Sequence, residues 1–141
     1  MEDIVLKDEC YRILGACFEV YKRKGCGFTE PVYQECLSIE FELRGIPFVR
    51  EPILELEYRG RVLNQIFRPD FICYDKVIVE LKSLRDLIDA NKAQTLNYLS
   101  ATDLELALLV NFGHYPKLEY KRIANTATKR RRPSTFLSGD K

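Results

Sequence analysis

The sequence predicts an α/β fold in one small domain, with helices and strands in the approximate order ααβββαβ. Three observations lead to this prediction. Apolar residues recur at helical spacing near the start of the chain, short alternating or β-branched runs follow, and a helical segment then separates two strongly apolar runs. The length of 141 residues fits a domain with one hydrophobic core.

Two helices are predicted in the first third of the chain. Between Leu6 and Tyr21 the apolar residues recur at steps of three and four, which places them in one stripe. Gly25 allows the chain to turn, and a second helix begins near Thr29–Pro31, because proline is tolerated in a first turn. This helix ends at Gly45, a residue type favoured just after a helix.

The middle of the chain is predicted to form strands. Ile53–Tyr58 alternates apolar with acidic residues, and Arg59-Gly60 turns it into Val62–Phe67, so these segments form a hairpin. Phe71–Cys73 is extended. After a further turn, the β-branched run Val77–Lys82 is typical of a central strand.

The last elements are a helix and a buried strand. The helix runs from about Asp89 to Ser100, and the continuous apolar run Leu106–Val110 is typical of a strand buried on both faces. Tyr115–Ile123 fits either an edge strand or a short helix. We therefore expect a folded domain over residues 1–125 and a basic, flexible tail over residues 126–141.

The net charge of +1 conceals an asymmetry, since the last 21 residues carry +6 and the rest of the chain −5. A basic tail can contact nucleic-acid phosphates, but it is more often a solvated end. Seven basic residues and one acidic residue produce the excess: Lys121, Arg122, Lys129, Arg130, Arg131, Arg132, Lys141 and Asp140.

Several classes of protein are disfavoured. No apolar run approaches the roughly 20 residues that span a bilayer, and the N-terminus lacks the pattern of a signal peptide, so we expect a cytoplasmic protein without a membrane partner. Five cysteines without a Cys-x-x-Cys pair indicate packing rather than disulfides or zinc. The single histidine, His114, excludes a histidine pair, and no phosphate-binding glycine loop is present.

Two carboxylates and a lysine carry the candidate chemistry. The predicted hairpin turn brings Asp70 and Glu80 to one end of two neighbouring strands, and Lys82 shares a strand face with Glu80 because residues two apart point the same way. Mg²⁺ prefers carboxylate and water oxygens, and a lysine can orient an attacking water. A surface salt bridge is the simpler alternative. However, the pair interrupts a strongly apolar strand, where unpaired charges are costly.

Three further residues are candidates. Glu30 shares the buried face of the second helix with Tyr33, so it could join the acidic pair or simply interact with the helix dipole. Gln94 and Tyr98 lie one turn apart on the third helix. They could bind phosphate oxygens, or equally belong to a buried hydrogen-bond network.

These motifs together resemble a known family. Gly27-Phe28-Thr29-Glu30-Pro31-Val32-Tyr33 matches Gly-x-x-Glu-x-x-Tyr, and Pro69-Asp70 with Glu80-Leu81-Lys82 matches the PD-(D/E)XK pattern. Gln94-x-x-x-Tyr98 is similar to the motif of RecB-type nucleases, and Asn111-Phe112-Gly113 also fits. The chain therefore resembles the GxxExxY proteins of the PD-(D/E)XK nuclease superfamily over roughly residues 5–123.

The resemblance implies a restriction-endonuclease-like core with a mixed central sheet flanked by helices. By the same resemblance, Asp70 and Glu80 hold Mg²⁺ or Mn²⁺, Glu30 is a further ligand or positions the water, and Lys82 assists that water. Gln94 and Tyr98 then line the substrate-binding side of the site.

The leading hypothesis is a metal-dependent nuclease that acts on nucleic acid, with DNA favoured over RNA. The alternative is a non-catalytic nucleic-acid-binding or assembly module that keeps the nuclease fold; a structural, partner-binding protein is a third reading. Asp70, Glu80 and Lys82 place three charges at one strand end, where burial of charge is unfavourable, and this favours catalysis over simple binding. The small domain offers little surface for sequence recognition, which makes a homodimer or a larger protein partner a reasonable expectation.

Overall fold

The computed structural model describes residues 5–125 of the chain. Residues 1–4 and 126–141 lie outside it, so the basic tail and the division into a domain and a tail stay predictions. The described part contains α1 (Lys7–Lys24), α2 (Glu30–Leu43), β1 (Phe48–Arg50), β2 (Leu54–Tyr58), β3 (Arg61–Phe67), β4 (Phe71–Cys73), β5 (Val77–Lys82), α3 (Asp89–Ser100), β6 (Leu106–Asn111) and β7 (Glu119–Ala124).

Five of the strands form one mixed sheet in the order β1-β4-β5-β6-β7, and β2 with β3 forms a separate hairpin. β5 and β6 run parallel, whereas the other neighbours are antiparallel. The observed order, ααβββββαββ, contains the predicted helices and strands in their predicted sequence, together with β1 and β7. The predicted mixed central sheet flanked by helices is therefore confirmed, with the β-branched run of β5 at its centre.

The sheet is covered by helices on both faces. On one face, alternate residues of β5 and β6 such as Val79 and Leu108 pack with buried residues of α1 and α2. On the other face, Ile78 of β5 and Ala107 of β6 pack against Leu99 of α3. Because both faces are buried, the two parallel strands are apolar along nearly their whole length. Glu80 is therefore conspicuous as a buried charged residue in this layer.

Local turn chemistry sets the register around the candidate site. Tyr74 and Asp75 both have positive φ, of 58° and 57°, and Lys76 N–H donates to the Cys73 carbonyl, which closes a tight turn between β4 and β5. Phe71 then pairs with Val79. The next residues outward along these strands are Asp70 and Glu80, so the hairpin brings the two carboxylates together as the sequence predicted.

The segment after β6, which fitted either a strand or a short helix, is an edge strand. β7 pairs antiparallel with β6 over the register Leu106↔Ala124 to Asn111↔Glu119. The residues of β7 are exposed or half-buried, as expected for a strand that pairs with a neighbour on one side only. Within residues 5–125, no helix is both long and apolar enough to cross a membrane.

Candidate active site

The Asp70 and Glu80 carboxylates each accept a hydrogen bond from the backbone at or next to the other residue. The Asp70 N–H donates to Glu80 Oε1 at 2.7 Å, and the Leu81 N–H donates to Asp70 Oδ2 at 2.8 Å. Glu80 is 7% exposed. Each carboxylate therefore has a fixed position, because a hydrogen bond from a rigid strand backbone leaves little rotational freedom.

The electrostatics of the pair favour a proton or a cation. Burial and then the negative charge of Asp70 raise the pKa of Glu80 to about 8, although the Asp70 N–H and Lys82 act in the opposite direction. Burial, together with the charge of Glu30, raises the pKa of Asp70, which its hydrogen bonds from Leu81 and Gln34 partly offset. Positive charge brought close to the pair favours the ionised form of both carboxylates.

A glutamine that the sequence analysis did not single out orients Asp70. Gln34 Nε2 donates to Asp70 Oδ1 at 2.8 Å, and Arg50 Nε donates to Gln34 Oε1 at 3.1 Å. Since an arginine can only donate, Arg50 fixes which end of the Gln34 amide faces Asp70. Gln34 is 7% exposed, and a polar residue one helical turn after Glu30 on the buried side of α2 was the signal that could have identified it.

Glu30 stands at the N-terminus of α2, on the helix that also carries Gln34. It is half-buried, and its negative charge contributes to raising the pKa of both Asp70 and Glu80. The predicted acid on this helix therefore lies close enough to interact with the pair. Asp70, Glu80 and Glu30 offer hard carboxylate oxygens, which suit Mg²⁺ or Mn²⁺ rather than a soft metal. Within residues 5–125, however, the oxygens of these three residues do not all lie within 4.8 Å of one another.

Lys82 and the third helix form the other side of the site. Lys82 lies on the same face of β5 as Glu80, and its Nζ donates to Gln94 Oε1 of α3 at 3.3 Å. Tyr98, one turn further along α3, stacks on Phe67 with ring centroids 4.6 Å apart and planes 20° from parallel. The structure thus brings Gln94 to the lysine, whereas the Tyr98 ring anchors the end of β3 next to Asp70.

Tyr33 supports the loop before α2 instead of pointing into the acidic cluster. Its hydroxyl donates to the Gly25 carbonyl at 2.5 Å and accepts from the Phe28 N–H at 3.1 Å. Its ring is fully buried and stacks on Phe112, with centroids 4.6 Å apart. The tyrosine of the Gly-x-x-Glu-x-x-Tyr segment therefore holds the turn that leads into Glu30.

Side-chain hydrogen bonds join the loops at the C-terminal ends of β5 and β6. The buried Asn111 side chain accepts from the N–H groups of Leu84 and Gly113 at 2.8 and 3.1 Å, and donates to Glu119 at 2.9 Å. At Gly113 a Cβ would lie 2.5 Å from the Leu84 backbone, so no side chain fits there. The Asn111-Phe112-Gly113 segment therefore fixes the path of the chain after Lys82.

A second group of candidate ligands lies on these loops. The ligand atoms of Asp86, His114 and Glu119 all lie within 4.8 Å of one another. Within residues 5–125, these are the three histidine, cysteine or acidic side chains that are close enough together to share a metal ion. His114 Nδ1 lies 2.8 Å from the Lys117 carbonyl, and Nε2 lies 3.7 Å from Asp86. The sequence analysis treated His114 only as the single histidine and missed its acidic neighbours, which come from two separate segments.

Comparison with known families agrees with this geometry. The family model described as the PD-(D/E)XK nuclease superfamily matches residues 7–123, a segment that contains all of the residues described above. No curated protein and no solved structure matches the chain.

Proposed function

The chain belongs to the PD-(D/E)XK nuclease superfamily, and we propose that it is a metal-dependent nuclease that hydrolyses nucleic-acid phosphodiester bonds, with DNA favoured over RNA. The observation that carries the proposal is the interlocked pair of carboxylates beside Lys82, in which Glu80 is buried and Asp70 is half-buried. A purely structural ion pair would place a cation between the two acids. Here each acid accepts a backbone N–H from beside the other, and burial followed by the negative charge of Asp70 raises the pKa of Glu80.

Asp70 and Glu80, with Glu30 as a further ligand or water-positioning group, would hold Mg²⁺ or Mn²⁺. When bound, such an ion neutralises developing charge on the phosphate and lowers the pKa of a coordinated water. The chain's own contribution is to hold the oxygens in place. Gln34 and the Leu81 N–H fix the two oxygens of Asp70, and the Asp70 N–H fixes Glu80.

Lys82 would orient the attacking water and offset phosphate charge. Its position supports this role, because Glu80 and Lys82 share one face of β5 and the Lys82 ammonium is held by Gln94. Gln94 is exposed, so its amide can also donate to a phosphate oxygen of a bound substrate. Tyr98, half-buried against Phe67, would line the same side with its hydroxyl.

We also infer that the chain is a GxxExxY protein within the superfamily. Both the sequence motif and the structure support this inference. Tyr33 of the signature holds the turn that precedes Glu30, and Gly27 lies inside that turn. The signature would thus serve to present Glu30 to the metal site. A homodimer or a larger protein partner would extend the small surface available for substrate recognition.

The direct test is incubation of the purified full-length chain with single- and double-stranded DNA and RNA, each with Mg²⁺, Mn²⁺ or EDTA. We expect cleavage with either metal, none with EDTA, and faster cleavage of DNA than of RNA. Metal-dependent binding without cleavage of any substrate would instead support the non-catalytic nucleic-acid-binding or assembly module. Absence of both would exclude both functions.

A further inference from the structure

A cleft with a volume of about 650 Å³ adjoins the acidic cluster. It lies between the loop that leads into α2 and the loop that follows β5, and Glu30 forms part of its wall. The cleft is lined by Cys26, Gly27, Phe28, Thr29, Glu30, Pro31, Ser83, Leu84, Arg85 and Gly113. Glu30 therefore connects this cleft to the side of the acidic cluster.

One wall of the cleft presents an aromatic ring. Phe28 is 43% exposed, although its ring packs edge-on against Tyr33 at 6.2 Å between centroids. Ser83 Oγ donates to the Phe28 carbonyl at 2.6 Å, which ties the two walls to each other. The Phe28 ring is thus held in place by its neighbours, and the part that stays exposed can act as a rigid stacking surface.

Cationic side chains stand near the same ring. Arg85 lines the cleft with a side chain that is 97% exposed, and its ion pair with Asp86, at 3.8 Å, is itself exposed. Lys24 Nζ lies 4.8 Å from the centroid of the Phe28 ring. An aromatic surface combined with nearby cations is the arrangement that binds single nucleotides of a strand, because the base stacks while the cations attract the phosphates.

The exposed aromatic ring of the cleft favours a single strand over a duplex. A volume of about 650 Å³ lies within the range of roughly 300–1,000 Å³ of small-molecule sites. The faces of paired bases are covered by their neighbours in a duplex, so Phe28 could stack only on a base that has left the helix or was never paired.

We propose that this cleft binds an unpaired nucleotide next to the scissile phosphate, with its base against the exposed part of Phe28 and its phosphate facing Arg85. The proposal rests on the proposed function and specifies its substrate as single-stranded nucleic acid. It makes Phe28 and Arg85 substrate-binding residues, distinct from the residues that hold the metal.

Binding can be measured separately from cleavage in the full-length Lys82→Ala protein with Mg²⁺, by fluorescence anisotropy with a labelled ten-nucleotide thymidine strand and a labelled 20-base-pair duplex. Base stacking on an aromatic residue contributes about 1–3 kcal/mol. We therefore expect Phe28→Ala to weaken binding of the single strand by about 5- to 150-fold and binding of the duplex much less. Phe28→Trp should retain the affinity, whereas Phe28→Leu should not.

The matched control is Phe18→Ala, since Phe18 is 45% exposed but lines a different groove with Tyr11 and Tyr120. If Phe28→Ala does not fold, Arg85→Ala tests the same cleft, with Arg12→Ala in the other groove as its control. Unchanged single-strand affinity in the Phe28 and Arg85 variants, or equal losses for strand and duplex, would overturn the proposal. Either result is independent of whether the wild-type protein cleaves.

Discussion

The Asp70 N–H donates to the Glu80 carboxylate at 2.7 Å, and the Asp70 carboxylate in turn accepts from the N–H next to Glu80, that of Leu81. This reciprocal arrangement fixes two acids at one strand end without neutralising either. Burial and mutual repulsion then raise the pKa of Glu80 to about 8.

The metal-free protein should lose stability as the pH rises from about 5 to about 8. The folded-state pKa of Glu80 is raised above the roughly 4.3 of an unfolded chain, so the folded state binds the proton more tightly. The stabilisation is therefore complete below the unfolded pKa and is lost as the pH approaches about 8. Urea denaturation in EDTA measures it. Glu80→Gln should flatten this dependence, whereas Glu55→Gln in the exposed hairpin should not; a wild-type protein equally stable at both pH values contradicts the prediction.

Mg²⁺ or Mn²⁺ should raise the melting temperature, because a ligand that binds only the folded state stabilises it. Asp70→Asn should abolish this shift, because the amide removes the charge that attracts the ion and one of the two oxygens that now accept from Gln34 and Leu81. His114→Ala is the control, as it disrupts the other candidate ligand group. A shift that survives Asp70→Asn but disappears with His114→Ala would place the metal at Asp86, His114 and Glu119.

Gln34→Ala should weaken metal binding by about 10- to 100-fold, the usual effect of losing a group that orients a ligand. The reason is that Asp70 Oδ1 loses its 2.8 Å hydrogen bond from Gln34. Isothermal titration with Mn²⁺ measures the change. Gln65→Ala, at an exposed glutamine of β3, is the matched control. Equal affinities for the two variants would show that Gln34 only fills space.

Tyr33→Phe should lower the free energy of unfolding by about 1–3 kcal/mol, because the Gly25 carbonyl and the Phe28 N–H both lose a partner. Chemical denaturation provides the measurement, and Tyr11→Phe, at a tyrosine that is 80% exposed, provides the control. An unchanged stability would mean that Tyr33 supports the loop through its ring alone.

Much of the fold could be predicted because its determinants are local. The β-branched run of β5, the Arg59-Gly60 turn and the glycine after α2 each act within a few residues. Gly45 has φ of 69°, and the N–H of Ile46 donates to the Phe41 carbonyl at 2.9 Å, which closes the end of α2. The same holds for Glu80 and Lys82, whose shared face follows from the strand period alone.

The parts that could not be predicted depend on distant segments. Gln34 meets Asp70 across 36 positions and Arg50 across 16, and nothing in the sequence connects them. β7 was ambiguous because a short segment becomes a strand here only through its pairing with β6. The motif around Tyr98 suggested a phosphate-binding role. Its stacking on Phe67 could not be predicted from the sequence, because β3 lies outside the main sheet.

The central claim is that this site cleaves phosphodiester bonds with Lys82 acting on the attacking water. The most direct measurement compares the single-turnover cleavage rates of Lys82→Ala and Lys92→Ala at saturating substrate and Mg²⁺. Lys92 is a matched control on α3, where its Nζ lies 3.7 Å from Asp89. We expect Lys82→Ala to cleave at least about 100-fold more slowly, since assistance of this kind contributes roughly 10²–10⁴-fold, and Lys92→Ala to retain the wild-type rate. Equal rates for the two variants would contradict the account.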